Sequence, residues 1–357
     1  MSFIFNTQFK PLYLSAQLPE SVEFSSQVEN DKVQVEVVVD SEIAMETVLY
    51  GFGHDFFLHD IRSVIEEAIR LKGRACASCW IRIENDEESA QSQAFEVVLS
   101  EFDIPEAEEF LYTHFLTTRS SFRIHRTGKQ LLSWYTAENN AEDYYIDALI
   151  LPEGAKKPRV LRWKEGRVTA VNRQVMEFLV EVPTVAAYFE QAYPDKKGRL
   201  LCFTVHRGLR AMTFYVTEEV PDLKLVFRNA FNVKEHAEIY GVSNRKQKVE
   251  RSEAHCLYNR VFYDQTTEQT YEVETAALQY EEALWLSQMV ASHYVALPAP
   301  DGREVEVLIT DSTSEISDSD KEQNRLKFSY KFAVDKQHLA FSPSGNIFSE
   351  EFRTQFK

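Results

Sequence analysis

Along much of this chain, apolar and polar residues change places at every step. Val33, Val35, Val37 and Val39 alternate with Lys32, Gln34 and Glu36, and Leu326, Phe328, Tyr330 and Phe332 alternate with Lys327, Ser329 and Lys331. A period of two is the signature of a strand lying with one face on a core, so both stretches predict half-buried strands. The same parity predicts strands at 176–182, 223–231, 270–275 and 303–310. Two stretches break the rhythm. In 60–72, Ile61, Val64, Ile65, Ala68 and Ile69 recur at helical spacing, with Asp60 placed to cap the helix and Gly73 to stop it. In 280–292, Ala283, Leu284, Leu286, Met289 and Val290 form an apolar side, and Glu281 and Glu282 occupy the first turn, where the helix dipole favours them.

These two amphipathic helices stand in similar surroundings, each between strands and followed by an acidic loop, which predicts a repeated module. Segments 122–138 and 203–219 each read as a strand, a basic turn containing Gly and an aromatic strand, which predicts two hairpins. The expected fold is mainly β, with several β-sandwich-like domains carrying the two helices. A chain of 357 residues exceeds what one core usually serves. Cuts near 119 and 220 give a β-sandwich-like module with one helix at 1–118, a middle β domain at 119–219 and a second β-sandwich-like module with one helix at 220–357. Aromatic content of 13%, including 25 Phe and 16 Tyr, suits strands.

Charge narrows the partners. A net charge of −17 argues against nucleic acid, whose affinity for proteins comes largely from Lys and Arg replacing counterions. The first residues lack the basic n-region and continuous apolar stretch of a signal peptide. No run approaches the roughly 20 apolar residues that span a bilayer. Synthesis in the cytoplasm without membrane insertion is the expectation, and four scattered cysteines agree with a reducing compartment.

The reactive side chains nominate no catalytic residue, cofactor or metal. Cys76 and Cys79 are three apart in an alternating run, so they point to opposite faces of a strand. A redox CxxC would open a helix, and a zinc site would need two more ligands, whereas Cys202 and Cys256 are isolated. The pair therefore reads as structural thiols. Gly51 and Gly53 read as a turn, and His54 and His59, five apart on a strand, fall on opposite faces. His125-Arg126 and His206-Arg207 read as polar turn residues at strand ends rather than an anion site. The acidic stretch 311–324 lacks the central Gly and closing Glu of a calcium loop and reads as a solvated hairpin loop.

A family resemblance carries the reading further. "VFRNAFNVKEHAEIYG" has an F-x-N-x-F strand with a following Glu; then come a "YD" strand, "VETA" feeding the "EEALWL" helix, "SHYV", and a strand ending "KFSYKF". Over residues 198–333 this pattern resembles structural proteins of phage and prophage tails that build tail-tip or baseplate assemblies. "DALILPEG" and "LTTRSSFRI" look like the same kind of protein, less specifically. The resemblance implies a virion component that is not an enzyme and works through protein–protein contacts, with other tail proteins as partners and a homo-oligomer in the assembly. On that reading Trp285 and the loop residues Asp311, Asp318 and Asp320 are the candidate interface. The alternative is a carbohydrate-binding or adhesion-type β-sandwich, which would need coplanar rings outside, whereas alternation puts Phe328, Tyr330 and Phe332 inside.

Overall fold

The protein, seen here in a computed structural model, is described over residues 3–29, 31–137, 141–169, 173–194, 198–256, 259–299, 301–318 and 323–333. It is mainly β and is built from several packed sheets with four helices among the described residues.

The first hundred residues fold around one core. In order they are β1 (Phe3–Phe5), β2 (Leu12–Leu14), β3 (Ser21–Ser26), β4 (Lys32–Val39), β5 (Glu42–Tyr50), β6 (Asp55–His59), α1 (Ile61–Leu71), β7 (Cys76–Glu84), β8 (Ser89–Gln91) and β9 (Phe95–Val98). One sheet has the order β1-β3-β6; the other runs β2-β9-β7-β4-β5, with β8 also on β7. Val33, Val35 and Val37 of β4 are fully buried together with Ile81 and Ile83 of β7, as the alternation predicts. Helix α1 lays Ile61, Ile65 and Ile69 into that core. Its stop follows the expected chemistry: Gly73 is left-handed at φ 64, its N–H meets the Arg70 carbonyl, and the Arg74 N–H reaches back to Ile69. Its start does not. Asp60 is itself left-handed and makes no side-chain cap; the Ser63 hydroxyl instead donates to the Asp60 carbonyl.

The next elements are α2 (Ala107–Thr113), β10 (Ser121–His125), β11 (Lys129–Thr136), β12 (Ala141–Pro152), β13 (Arg159–Thr169), β14 (Gln174–Glu181), α3 (Val182–Ala192), β15 (Gly198–Arg207) and β16 (Arg210–Thr217). Of the two predicted hairpins only the second forms, as β15 and β16. Strands β10 and β11 part at the turn before Gly128: β10 lies parallel to β16 on the edge of a five-stranded sheet, and β11 pairs with β14 in a sheet of its own. The basic turn at 207–210 also departs from the expected surface turn, because both its arginines are buried. Arg210 donates to the carbonyls of Leu111 and Tyr135, and its charge and that of Arg207 meet Glu142 at 2.9 and 3.3 Å.

The last part comprises β17 (Leu223–Arg228), β18 (Lys234–Ile239), β19 (Gly241–Cys256), β20 (Asn259–Thr275), α4 (Tyr280–Ala291), β21 (Val295–Pro298), β22 (Glu304–Glu315) and β23 (Arg325–Phe332). They form one sheet of seven, in the order β18-β17-β21-β22-β23-β20-β19. Its core is continuous with that of the middle part, from Phe115 and Trp134 through Phe214 to Phe227 and Tyr330, so no boundary in packing falls near residue 220.

A common arrangement does link the first and last parts. In each, a hairpin presents its first strand to the strand that follows the helix, antiparallel, and the next strand lies beyond: β5-β4-β7-β8 in one, β18-β17-β21-β22 in the other. The acidic loops do not correspond, since one joins β7 to β8 and the other joins β22 to β23.

Candidate functional site

Strands β19 and β20 are far longer than the sheet that holds them. Strand β20 touches its neighbour β23 only from Tyr271 to Glu274, and β19 pairs with β20 alone. From the pair Lys246–Thr270 to the pair Cys256–Asn259 the hairpin therefore projects as a two-stranded arm. At a rise of about 3.3 Å per residue, those eleven pairs reach roughly 35 Å beyond the sheet. Its base is fixed by aromatic packing, with the Tyr271 ring stacked on Tyr330 at 5.0 Å and edge-on to Phe332 at 5.6 Å.

The composition of the arm explains its exposure. Neither face carries an apolar row; Arg245, Gln247, Val249 and Arg251 occupy one parity of β19, and Lys246, Lys248 and Glu250 the other. Local pairs hold it together: Lys246 with Glu272, Lys248 with Glu250 at 2.7 Å, and Arg251 with the Gln265 amide at 3.0 Å and over the Phe262 ring at 5.2 Å. Strand β19 is thus a basic edge, with Arg245, Lys246, Lys248 and Arg251 against Glu250 and Glu253, on a chain of net charge −17. Along that edge the backbone N–H and C=O groups that face away from β20 have no strand partner among the described residues. An isolated two-stranded hairpin is at best marginally stable in water.

The residues nominated from sequence fall in two places. Trp285 is turned inward: it is buried, its indole N–H donates to Glu235 at 2.7 Å, and Phe122 and Phe227 meet it edge-on at 5.4 and 5.5 Å. Leu284 points out instead, because the buried face of α4 runs through Ala283, Trp285, Leu286 and Met289. The loop partly follows expectation. Asp311 is exposed but lies in β22, opposite Ser329, rather than in a loop, so the loop is shorter than expected; Asp318 is exposed, and Asp320 lies outside the described residues. Asp318 shares a surface hollow of about 830 Å³ with Tyr280 and Asn324, so the start of α4 and the loop do come together. Asn324 braces that loop through both backbone groups of Ser317, at 2.7 and 3.1 Å.

Buried ionisable groups serve packing. Glu235 is fully enclosed; burial pushes its carboxyl up, and hydrogen bonds from Thr117, Trp285 and Asn229 pull it back. Cys76 and Cys79 lie on opposite faces of β7 as predicted, and burial raises the Cys76 thiol to about 11 and the Cys79 thiol further. His206 stacks on Tyr145 at 4.3 Å beside Asp147, and His125 is buried with its Nδ1 2.9 Å from the Thr127 hydroxyl. Among the described residues no three His, Cys, Asp or Glu side chains form a metal-binding group, and no helix is long and apolar enough to cross a membrane.

Neither a family model nor a curated protein matches the chain. A solved structure of the plexin A4 full extracellular region is similar at 9% identity and a TM-score of 0.20. The match covers 92% of this chain and 40% of that one, so this chain spans well under half of its length; similarity this low carries no argument.

Proposed function

We propose that the chain is a non-enzymatic structural subunit of a phage-tail-like particle, a tail-tip or baseplate component that acts by docking to neighbouring subunits. The projecting hairpin of β19 and β20 carries this reading, since a solvent-exposed arm with a free, basic edge has its structural sense in an assembly. The resemblance over residues 198–333 supports the tail class in particular. The distribution of aromatics favours assembly over sugar binding. All four tryptophans are buried or half-buried, as are Phe328 and Tyr330, which leaves no tryptophan platform on the described surface; Phe332, expected inside with them, is exposed at the end of β23.

The reading is tested by excising residues 246–270 and joining Arg245 to Tyr271 through an Asn-Gly turn, which suits a two-residue hairpin. The shortened chain is expected to keep its melting temperature and to disappear from purified tail-like particles, as followed by immunoblot. An arm-less chain that enters particles as well as the full chain would overturn the proposal.

A further inference from the structure

Strand β5 is the outer strand of its sheet, and no strand pairs with its far edge among the described residues. Helix α1 packs over β4 and β5 but leaves a groove of about 610 Å³ between itself and that edge. Its walls are apolar, from Ile43 and Met45 on the strand and Val64, Ala68 and Leu71 on the helix, with Leu71 78% exposed and Ile43 53% exposed. Its rim is acidic. Glu42 stands at one end, paired with Lys72 at 2.9 Å, and Glu67 lines the helix side.

The corresponding strand in the last part of the chain shows how such an edge is completed. There β18 is covered by β11, whose Gln130 side chain imitates a strand neighbour: its Nε2 donates to the His236 carbonyl at 3.0 Å, and its Oε1 accepts the His236 N–H at 2.7 Å. Among the described residues nothing plays that part for β5.

We propose that the β5 edge and the α1 groove receive the β19 edge of a second copy of this chain. The inference rests on the assembly reading above. Complementarity identifies the occupant: a free strand edge meets a free strand edge, and a basic strand meets an acidic rim. A strand added beside β5 extends the sheet and turns alternate side chains into the groove. On β19 one parity offers Val249 for the apolar walls, with Arg245 and Arg251 on either side of it for Glu42 and Glu67. Among the described residues neither arginine has a carboxylate partner of its own. Because arm and groove are different surfaces of one chain, the contact is head-to-tail, the kind that builds rings or filaments rather than closed two-fold dimers.

The test uses the full chain. Sedimentation velocity would follow three proteins: wild type, Arg245→Glu with Arg251→Glu, and Glu42→Lys with Glu67→Lys. Wild type is expected to self-associate, each reversed pair to weaken association at least about tenfold, and an equimolar mixture of the two reversed proteins to restore it. A photo-crosslinking amino acid in place of Val249 is expected to label peptides 42–49 or 61–72 of a neighbouring copy. Labelling of another surface, or no rescue on mixing, would overturn the groove assignment; with the arm-less chain still excluded from particles, the assembly reading would survive it. A chain that stays monomeric at every concentration would overturn it too.

Discussion

The outer hairpin strands β5 and β18 hold the same place in two related sheets, yet one edge is open and the other sealed. Strand β18 is closed by the Gln130 amide and by Glu238, whose carboxylate accepts the His125 backbone N–H at 2.6 Å, and Trp285 fills the space above its partner β17. Strand β5 has instead an exposed run through Ile43, Val48 and Tyr50, and a groove where the other sheet has a tryptophan. The two faces teach that strand order alone does not decide whether an edge is a surface or an interior. That depends on whether another part of the chain brings a polar group to the vacant backbone positions and an apolar group to the vacant volume.

The sealed side should break first, and hardest. Trp285→Ala removes a buried indole from between Phe122 and Phe227 and strips Glu235 of a donor, so unfolding of the dilute monomer should cost about 3 to 5 kcal/mol less. A melting temperature close to wild type would show that the closure does not depend on it.

Next comes acid. Burial depresses the His236 imidazole to about 4, below its ordinary 6.5, so the folded protein holds it neutral while the unfolded chain takes up a proton. Its contribution is complete above pH 6.5 and is lost as the pH falls towards 4, by at most about 3 kcal/mol. Denaturant titrations of wild type and His236→Asn should therefore diverge in that window and run parallel above it.

A smaller loss, about 1 to 3 kcal/mol, is expected for Gln130→Leu, which leaves the His236 backbone groups buried without their partner. Amide hydrogen exchange would locate it, with faster exchange along β18 and none of the change reaching β5. The open side should be nearly silent in the monomer. Leu71→Ala should alter stability by less than about 0.5 kcal/mol, because the side chain is 78% exposed. A large loss there would mean that the groove is part of the module's own core.

The strands were legible wherever one face met a core. Parity located β4, β14, β17, β22 and β23, and helical spacing located α1 and α4 to within a residue or two. Helix α2 was hidden because its buried contribution is only Ala107 and Leu111, too sparse for a stripe, and α3 because Val182 begins it directly from β14. Pro183, at the first turn of α3, was the signal available for the latter. The arm was invisible for a related reason: polar residues on both faces give no alternation, so only its base at 270–275 was legible. Trp285 shows the opposite limit. Its neighbours Leu284 and Leu286 made three consecutive apolar positions, and the sequence carries no mark of which of them Glu235 would draw inward.

The core that runs unbroken from Phe115 to Tyr330 also sets a timetable. The first module holds all its strands by residue 98, although Leu14, Ala75 and Val98 still wait for Tyr135 and Phe231; Phe122 must wait for Phe214 on the parallel neighbour of its strand, and then for Trp285. Roughly 200 residues separate the first and last members of that core. At about 5 to 20 residues per second of synthesis, the delay is some 10 to 40 s. During it, the ribosome carries an unfinished sheet in which Trp134, and later Phe203 and Phe214 once they are made, are still short of their final neighbours. Cells short of chaperones should therefore accumulate such a chain as inclusion bodies.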